Sequence, residues 1–434
     1  MKSVGKAILL AILSWQVQRL RRRNSFKIIA VVGSYGKTST KSAIATVLKK
    51  QFRVQYQAGN YNDIITVPLV FFGETLPGLA NVFAWIRLLL RNERQLNQTY
   101  PYDIVILELG VDGPGQMNQF ARYLHVDMAV ITAIAYEHME YFGSLQAVAK
   151  EELAVAHFSD RLLINSDLCS TSYITTLAKP VMTYATGKKA DYREKLIKSE
   201  EHIYKHDKKW LNISSYSSRS RAQRYCACAA AAVGDQYGIA DTKIVTGIAA
   251  ITPPSGRMQW LRGLRDSIIL DETYNASPDA VKAALDVLYD LEAPQKIAVL
   301  GNMNELGTYA KQAHKEIGTY CDPAEVDLVI TLGADANQYL AAAARERGCR
   351  VITCSNPYEA GSYLKRHIQD RSAILVKGSQ NGVFAEEAVK MILADPQDST
   401  LLVRQSTHWL KVKKKAWKHD PTTHQKNGHP PDQK

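Results

Sequence analysis

Lys37 and Thr38 stand in the run Val31-Val32-Gly33-Ser34-Tyr35-Gly36-Lys37-Thr38-Ser39-Thr40, whose GxxGKT core follows the apolar stretch Ile28 to Val32. A strand leading through glycines into a helix cradles polyphosphate. Glycine lets backbone N–H groups crowd round the oxygens, Lys37 can reach the outer phosphates, and Thr38 can offer its hydroxyl to Mg²⁺. Gly33, Ser34, Tyr35, Gly36, Lys37, Thr38 and Ser39 are therefore the candidate contacts of a nucleotide, ATP or GTP. Glu108 ends the strand that begins at Asp103, on the carboxyl edge of the sheet where the loop sits, and there it can bind Mg²⁺ with Thr38. Taken alone it is equally a solvated strand-end acid. His138 follows another apolar strand, and a single histidine there is more often structural. It gains interest because two strands and the phosphate loop converge.

These groups need a sheet to hold them. Ile28 to Val32, Ile104 to Leu109, Met128 to Ile134 and Leu162 to Ile164 are continuous apolar runs alternating with helical patterns, the mark of a mainly parallel sheet covered on both faces. Pro253-Pro254-Ser255-Gly256 breaks the chain. Strands at Ser267 to Leu270, Ile297 to Leu300, Leu328 to Leu332 and Ala373 to Val376 then alternate with helices such as Pro278 to Tyr289. The fold class is α/β: a P-loop central ATPase domain over 26–253 and a C-terminal Rossmann-like α/β domain over 254–400. A leading helix over 1–25 and a basic, disordered tail over 401–434, with a short helix near Trp409, complete the expected organisation.

The formal charge of +12 over 434 residues suggests nucleic acid until it is located. Residues 1–25 carry Lys2, Lys6, Arg19, Arg21, Arg22 and Arg23 with no acid, and residues 404–434 carry eight basic residues against Asp420 and Asp432. The body between is neutral, so a basic face for specific nucleic acid is not indicated, while the ends could touch an anionic membrane. The six cysteines form no CxxC pair, which fits neither a zinc site nor a disulfide scaffold and suits the reducing cytoplasm. Ala7 to Trp15 is too short to span a bilayer. Its plainer reading is a helix packed on the first domain; the sharper one is an interfacial anchor giving peripheral contact with the inner membrane.

Five segments in order resemble the Mur ligase family, specifically its MurF-type branch, which adds D-alanyl-D-alanine to a UDP-MurNAc tripeptide in peptidoglycan synthesis. They are Gly59-Asn60-Tyr61-Asn62-Asp63 with its continuation to Leu69, Glu108-Leu109-Gly110, His138-Met139-Glu140-Tyr141-Phe142-Gly143, Asp271-Glu272-Thr273-Tyr274-Asn275, and Gly301-Asn302-Met303-Asn304-Glu305. The resemblance implies a monomeric ligase that uses ATP and Mg²⁺ to make an acyl phosphate, which an amine then attacks. By similarity Lys37 holds the outer phosphates, Thr38 and Glu108 bind one Mg²⁺, and His138 helps bind a second. Asn60 and Asn62 line the path to the carboxyl substrate. Arg257, Asp271 and Glu272 resemble nucleotide contacts made as the domains close, and Asn275, Asn304, Glu305, Lys377 and Ser379 fall where the family receives the amino-acid acceptor.

Departures from the pattern matter as much. Several family members carry a carbamylated lysine after the histidine motif; the matching position is Glu152, with Lys150 as the competing candidate. Ala222-Gln223-Arg224-Tyr225-Cys226 replaces an HNxxN pattern near adenine, and Gln380 stands where an arginine often follows the Lys377-Gly378-Ser379 turn. The early position of the phosphate loop predicts a chain without the usual UDP-binding domain, so a lipid-linked or free peptide donor is an alternative. A polyglutamate-type ligase and a non-catalytic nucleotide-binding homologue are the other readings.

Overall fold

The computed structural model describes residues 3–416, apart from residues 58, 60, 79, 80, 217–219 and 381. The chain divides after Pro254 into two compact units, with residues 305–308 grouping with the first.

In the first unit nine strands form one sheet: β1 (Lys27–Val32), β2 (Val54–Gln55), β3 (Ile104–Glu108), β4 (Val126–Ile131), β5 (Ser159–Asn165), β6 (Val181–Ala185), β7 (Tyr192–Ile197), β8 (Glu200–Lys205) and β9 (Lys208–Asn212). Their order is β2-β3-β1-β4-β5-β6-β7-β8-β9. Pairings are parallel from β2 to β7 and antiparallel at the β7–β8–β9 meander. Alternate residues of β1 feed opposite layers, as the two-residue period of a strand requires. Ile28, Ala30 and Val32 join one core cluster while Ile29 and Val31 join the other, beneath the helices Lys37–Leu48 and Arg221–Gln236. The central run is therefore apolar throughout.

The leading helix, Ser3–Arg23, packs as its plainer reading expects. Leu9, Leu13, Val17 and Leu20 are buried, each contributing about 1.5–3 kcal/mol of transfer free energy. Three of its arginines are engaged: Arg19 with Glu93 at 2.7 Å, Arg21 with Asp127 at 3.2 Å, and Arg23 with the Leu96 carbonyl at 2.9 Å.

The second unit is a six-stranded sheet made of β10 (Gln259–Arg262), β11 (Ile268–Glu272), β12 (Lys296–Gly301), β13 (Leu328–Leu332), β14 (Val351–Cys354) and β15 (Ala373–Lys377), in the order β10-β11-β15-β12-β13-β14. All pairings are parallel except β10–β11. The helix Pro278–Tyr289 starts with proline at its first turn, where the missing N–H costs nothing.

The tail from residue 401 contains the short helix expected near Trp409, while the expected disorder is corrected for the described residues around it, which are held by ion pairs. Helix Thr407–Ala416 forms, and Lys413 is buried 2.8 Å from Glu386 and 2.6 Å from Glu387. Arg404 pairs with the wholly buried Glu386 at 2.7 Å and donates to the Tyr274 carbonyl at 3.1 Å and to the Thr273 carbonyl. These tail charges neutralise the buried Glu386 and Glu387. Residues 417–434 lie outside the described residues.

Candidate active site

The phosphate loop follows β1 without slack. Gly33 has φ 123° and Gly36 φ 82°, both in the region open to glycine. A Cβ on Gly33 would lie 2.5 Å from Thr132 Oγ1 and 2.8 Å from the Ala133 nitrogen, so no other residue fits. Ser34 is buried and tethers the loop to the segment leaving β4: its hydroxyl donates to the Ala135 carbonyl at 3.1 Å and accepts from the Ala135 N–H at 2.9 Å. The Ser34 hydroxyl is thus committed to the protein, leaving the loop backbone to face a ligand. Gly36 caps the helix Lys37–Leu48, whose first N–H groups have no intrahelical partners and favour an anion. The Lys37 amine folds over the loop, donating to the Gly33 carbonyl at 2.5 Å and the Ser34 carbonyl at 3.2 Å, 3.7 Å from Glu137.

The register of β1 on β3 places Val31 opposite Glu108, and Thr38 and Glu108 meet at the carboxyl edge of the sheet. Thr38 Oγ1 donates to Glu108 Oε1 at 3.1 Å. A third residue, which sequence reasoning missed, completes the cluster. Lys41, one turn along the helix from Lys37, holds its amine 2.9 Å from Glu108 Oε2 and 3.2 Å from the Gly59 carbonyl. Lys41 and Glu108 are each only 2% exposed. Sequence places Lys41 on the helix face of Thr38, but not the buried acid 67 positions away that it meets.

A hydroxyl and a carboxylate at this separation are hard oxygen donors suited to Mg²⁺, which commonly takes one or two carboxylates and completes its shell with water and phosphate oxygens. Among the described residues no group of three or more His, Cys, Asp and Glu side chains is arranged to hold a metal by itself.

His138 has φ 49° and begins the short helix Met139–Phe142; its Nε2 lies 3.5 Å from Asp112 and 3.6 Å from Glu137. Glu305, which sequence assigns to the second domain, groups with this unit, and its carboxylate meets His138 Nδ1 at 2.9 Å. Glu152 sits in the helix Leu145–Leu153, which Ser144 caps by accepting from the Ala147 N–H at 3.2 Å. Its Oε2 accepts from the Gly33 N–H at 2.9 Å, and burial pushes its carboxyl up to about 7 despite the neighbouring Lys37. Lys150 is exposed, so the buried position beside the loop belongs to Glu152. No ion pair joins Glu152 to His138 among the described residues.

Asn62 lies against the Glu108 turn, its backbone carbonyl accepting from the Gly110 N–H at 2.8 Å. Asn60 lies outside the described residues. In the segment that replaces HNxxN, Ser220 caps the helix by accepting from the Gln223 N–H at 3.2 Å, Arg224 lies 3.5 Å from the buried Glu194, and Cys226 packs its sulfur 3.6 Å from Thr40 Oγ1.

The second unit gathers its own candidates at the carboxyl ends of β11, β12 and β15. Glu272 pairs in register with Lys377, whose buried amine donates to the Asn275 carbonyl at 3.0 Å and to Glu272 at 3.4 Å. Ser379 donates to the Ala276 carbonyl at 3.2 Å and accepts from the Asn304 N–H at 2.9 Å; the Asn304 amide donates to the Gln380 carbonyl at 2.8 Å. The Arg257 guanidinium lies 4.0 Å over the Tyr274 ring. Asp271 is fully buried: Oδ1 accepts from Thr273 Oγ1 at 2.6 Å, while Oδ2 takes no hydrogen bond among the described residues.

The two units are matched in known proteins. The Mur ligase middle domain model matches residues 87–233, and the Mur ligase glutamate ligase domain model matches residues 256–380. The UDP-N-acetylmuramoyl-tripeptide--D-alanyl-D-alanine ligase of Bacillus subtilis is 29% identical over 385 residues, covering 85% of this chain and 76% of that one. The enzyme of the same name from Synechocystis is 27% identical over 385 residues, covering 86% and 76%. The crystal structure of MurF ligase from Thermotoga maritima in complex with ADP superposes with a TM-score of 0.72 at 20% identity, covering 88% of this chain and 83% of that one. With two of its domain models matched in order along a fold shared with such an enzyme, the chain belongs to the Mur ligase family.

Proposed function

We propose that the chain is an ATP-dependent, Mg²⁺-requiring carboxylate–amine ligase of MurF type, acting as a cytoplasmic monomer that joins D-alanyl-D-alanine or a similar amine to a peptidoglycan-precursor peptide. The observation that carries this reading is the contact of Thr38 with Glu108 beside a glycine loop ready for phosphate. The names and functions of the similar ligases support it. In the reaction a substrate carboxylate oxygen bonds to the γ-phosphorus as the bond to ADP breaks. The amine nitrogen then bonds to the acyl carbon, phosphate leaves with the C–O bond electrons, and the amine proton goes to solvent or a base. Lys37, leaving the Gly33 and Ser34 carbonyls, holds the outer phosphates. Thr38 and Glu108, with His138 at a second position, would hold Mg²⁺, which offsets charge on the phosphate oxygens. Asn60 and Asn62 line the carboxyl substrate. Arg257, Asp271 and Glu272 serve the nucleotide, and Asn275, Asn304, Glu305, Lys377 and Ser379 the acceptor.

Glu152 takes the place of the family's carbamate, acting with its buried carboxyl group through the loop it holds. Glu152→Gln keeps an acceptor for the Gly33 N–H, so the fold persists while turnover and its Mg²⁺ dependence fall; unchanged values for both would refute that role. The whole proposal is tested by phosphate release with ATP, UDP-MurNAc tripeptide and D-alanyl-D-alanine, against a panel of other donors and amines. Release with the named pair is expected. Release only with glutamate-type acceptors would favour a polyglutamate-type ligase, and none with any pair would sink the enzymatic reading.

A further inference from the structure

The outward face of the leading helix is not polar. Ile8, Ile12 and Trp15 are exposed on it, Trp15 by 50%, and beside it the helix Val82–Leu96 exposes Val82, Phe83, Ile86 and Leu90, Phe83 by 80%. Isolated surface apolar residues are ordinary, but seven on two packed helices form a patch that marks an interaction surface. The two sets share one seam. Gln16 donates to the Leu89 carbonyl at 3.1 Å and to Glu93 at 2.9 Å, and Arg19 meets Glu93 at 2.7 Å. Ile12 stands one turn before Gln16, and Ile86 and Leu90 flank Leu89, so both stripes border the line along which the helices touch.

Charge identifies the occupant. The leading helix carries no acid, and the only acid on Val82–Leu96, Glu93, is taken by Arg19. Lys6, Arg22, Arg87 and Arg94 are exposed and make no ion pair among the described residues. The Arg19 guanidinium stacks 4.6 Å over Trp15, a side chain with the apolar body and polar edge suited to the headgroup boundary. No described helix is long and apolar enough to cross a membrane, which leaves the interfacial plane. We propose that the paired helices Ser3–Arg23 and Val82–Leu96 form one docking surface for an anionic lipid bilayer, with Trp15, Phe83, Ile86 and Leu90 entering the headgroup boundary and the unpaired arginines meeting lipid phosphates. The surface extends well beyond the leader and does not depend on which reaction the site performs.

The full chain is incubated with phosphatidylcholine vesicles, with or without phosphatidylglycerol, and sedimented. Binding to the anionic vesicles alone is expected, weakening as salt rises. Phe83→Ser with Ile86→Ser should lower the partition coefficient at least ~10-fold, and Arg22→Glu with Arg87→Glu should weaken binding and flatten its salt dependence. These positions are exposed, so thermal melting and phosphate release should match the parent and report an intact fold. Failure of the parent to bind anionic vesicles, or equal binding by the variants, overturns the proposal. A dimer in solution that Phe83→Ser with Ile86→Ser dissolves, without vesicle binding by the parent, assigns the face to a second copy instead.

Discussion

Both units bury charge at the carboxyl ends of their strands, but they neutralise it differently. In the first, Glu108 is met on one oxygen by Thr38 and on the other by Lys41, so each buried charge has an opposite. In the second, Asp271 has only the Thr273 hydroxyl and N–H on one oxygen, and burial, with Glu272 and Glu386 adding, pushes its carboxyl up to about 6. The first cluster is a closed ion pair; the second is a carboxyl whose burial makes it hold its proton more tightly than an exposed one. A buried charge is tolerated only by pairing or by holding its proton more tightly, and Glu108 and Asp271 illustrate one remedy each.

The sharpest way to break the contrast is Lys41→Met. It strands Glu108 without its cation, and a loss of about 3–5 kcal/mol is expected from denaturant unfolding without Mg²⁺. Added Mg²⁺ and ATP should restore part of it, because a metal offers Glu108 the charge that lysine supplied. Glu108→Gln should instead lower turnover by roughly 10²–10³-fold with no Mg²⁺ rescue. If Lys41→Met unfolds at the parent's midpoint, the pair is not what holds Glu108 inside.

Asp271→Asn tests the other remedy. The folded carboxyl sits at about 6 against an ordinary 3.8, so the native state holds a proton more tightly than the unfolded chain. By linkage its contribution is most favourable below pH 3.8 and is lost as pH rises through about 6, a difference of about 3 kcal/mol. The asparagine variant should lose that downward slope of stability between these pH values. A slope equal to the parent's would show that Asp271 ionises freely.

Arg404→Ala ranks next. It removes a bidentate partner of Glu386 and two donors to the Thr273 and Tyr274 carbonyls, yet Lys413 remains 2.8 Å from Glu386. About 2 kcal/mol is expected in unfolding experiments, less than for Lys41 because a second cation stays. A loss as large as that of Lys41→Met would mean that Lys413 does not compensate.

What could be read from the sequence follows the range of the forces involved. β1 with its glycine loop, the strand ending at Glu108, the break after Pro254 and the helix Pro278–Tyr289 are written in local patterns of apolar runs, glycine and proline, and they stand where those patterns put them. Strands β10 and β14 are short, and the β7–β8–β9 meander is amphipathic and rich in charge, so a search for continuous apolar runs passes over them. Lys41, Arg404 and Lys413 were illegible for another reason. A basic residue looks solvated until the chain brings a buried acid to it, and the partners are 67, 18 and 26 or 27 positions away. Resemblance to a family supplied Asn62 as a site residue, but only the fold puts it against the Glu108 turn.

Ser34→Ala carries the smallest effect and tests whether the first site is preformed. The serine hydroxyl accepts the Ala135 N–H and donates to its carbonyl, so alanine leaves a buried donor unsatisfied beside the loop. About 1–2 kcal/mol of stability should be lost. Thr132 still ties the loop, donating to the Val32 carbonyl at 3.0 Å and the Tyr35 carbonyl at 2.6 Å, so the cradle should survive and the maximal rate change little. The apparent KM for ATP should rise, since the backbone must then be ordered by the nucleotide rather than by Ala135. A fall in the maximal rate with an unchanged KM would place the Ser34 hydroxyl on the reacting phosphates instead of on the protein.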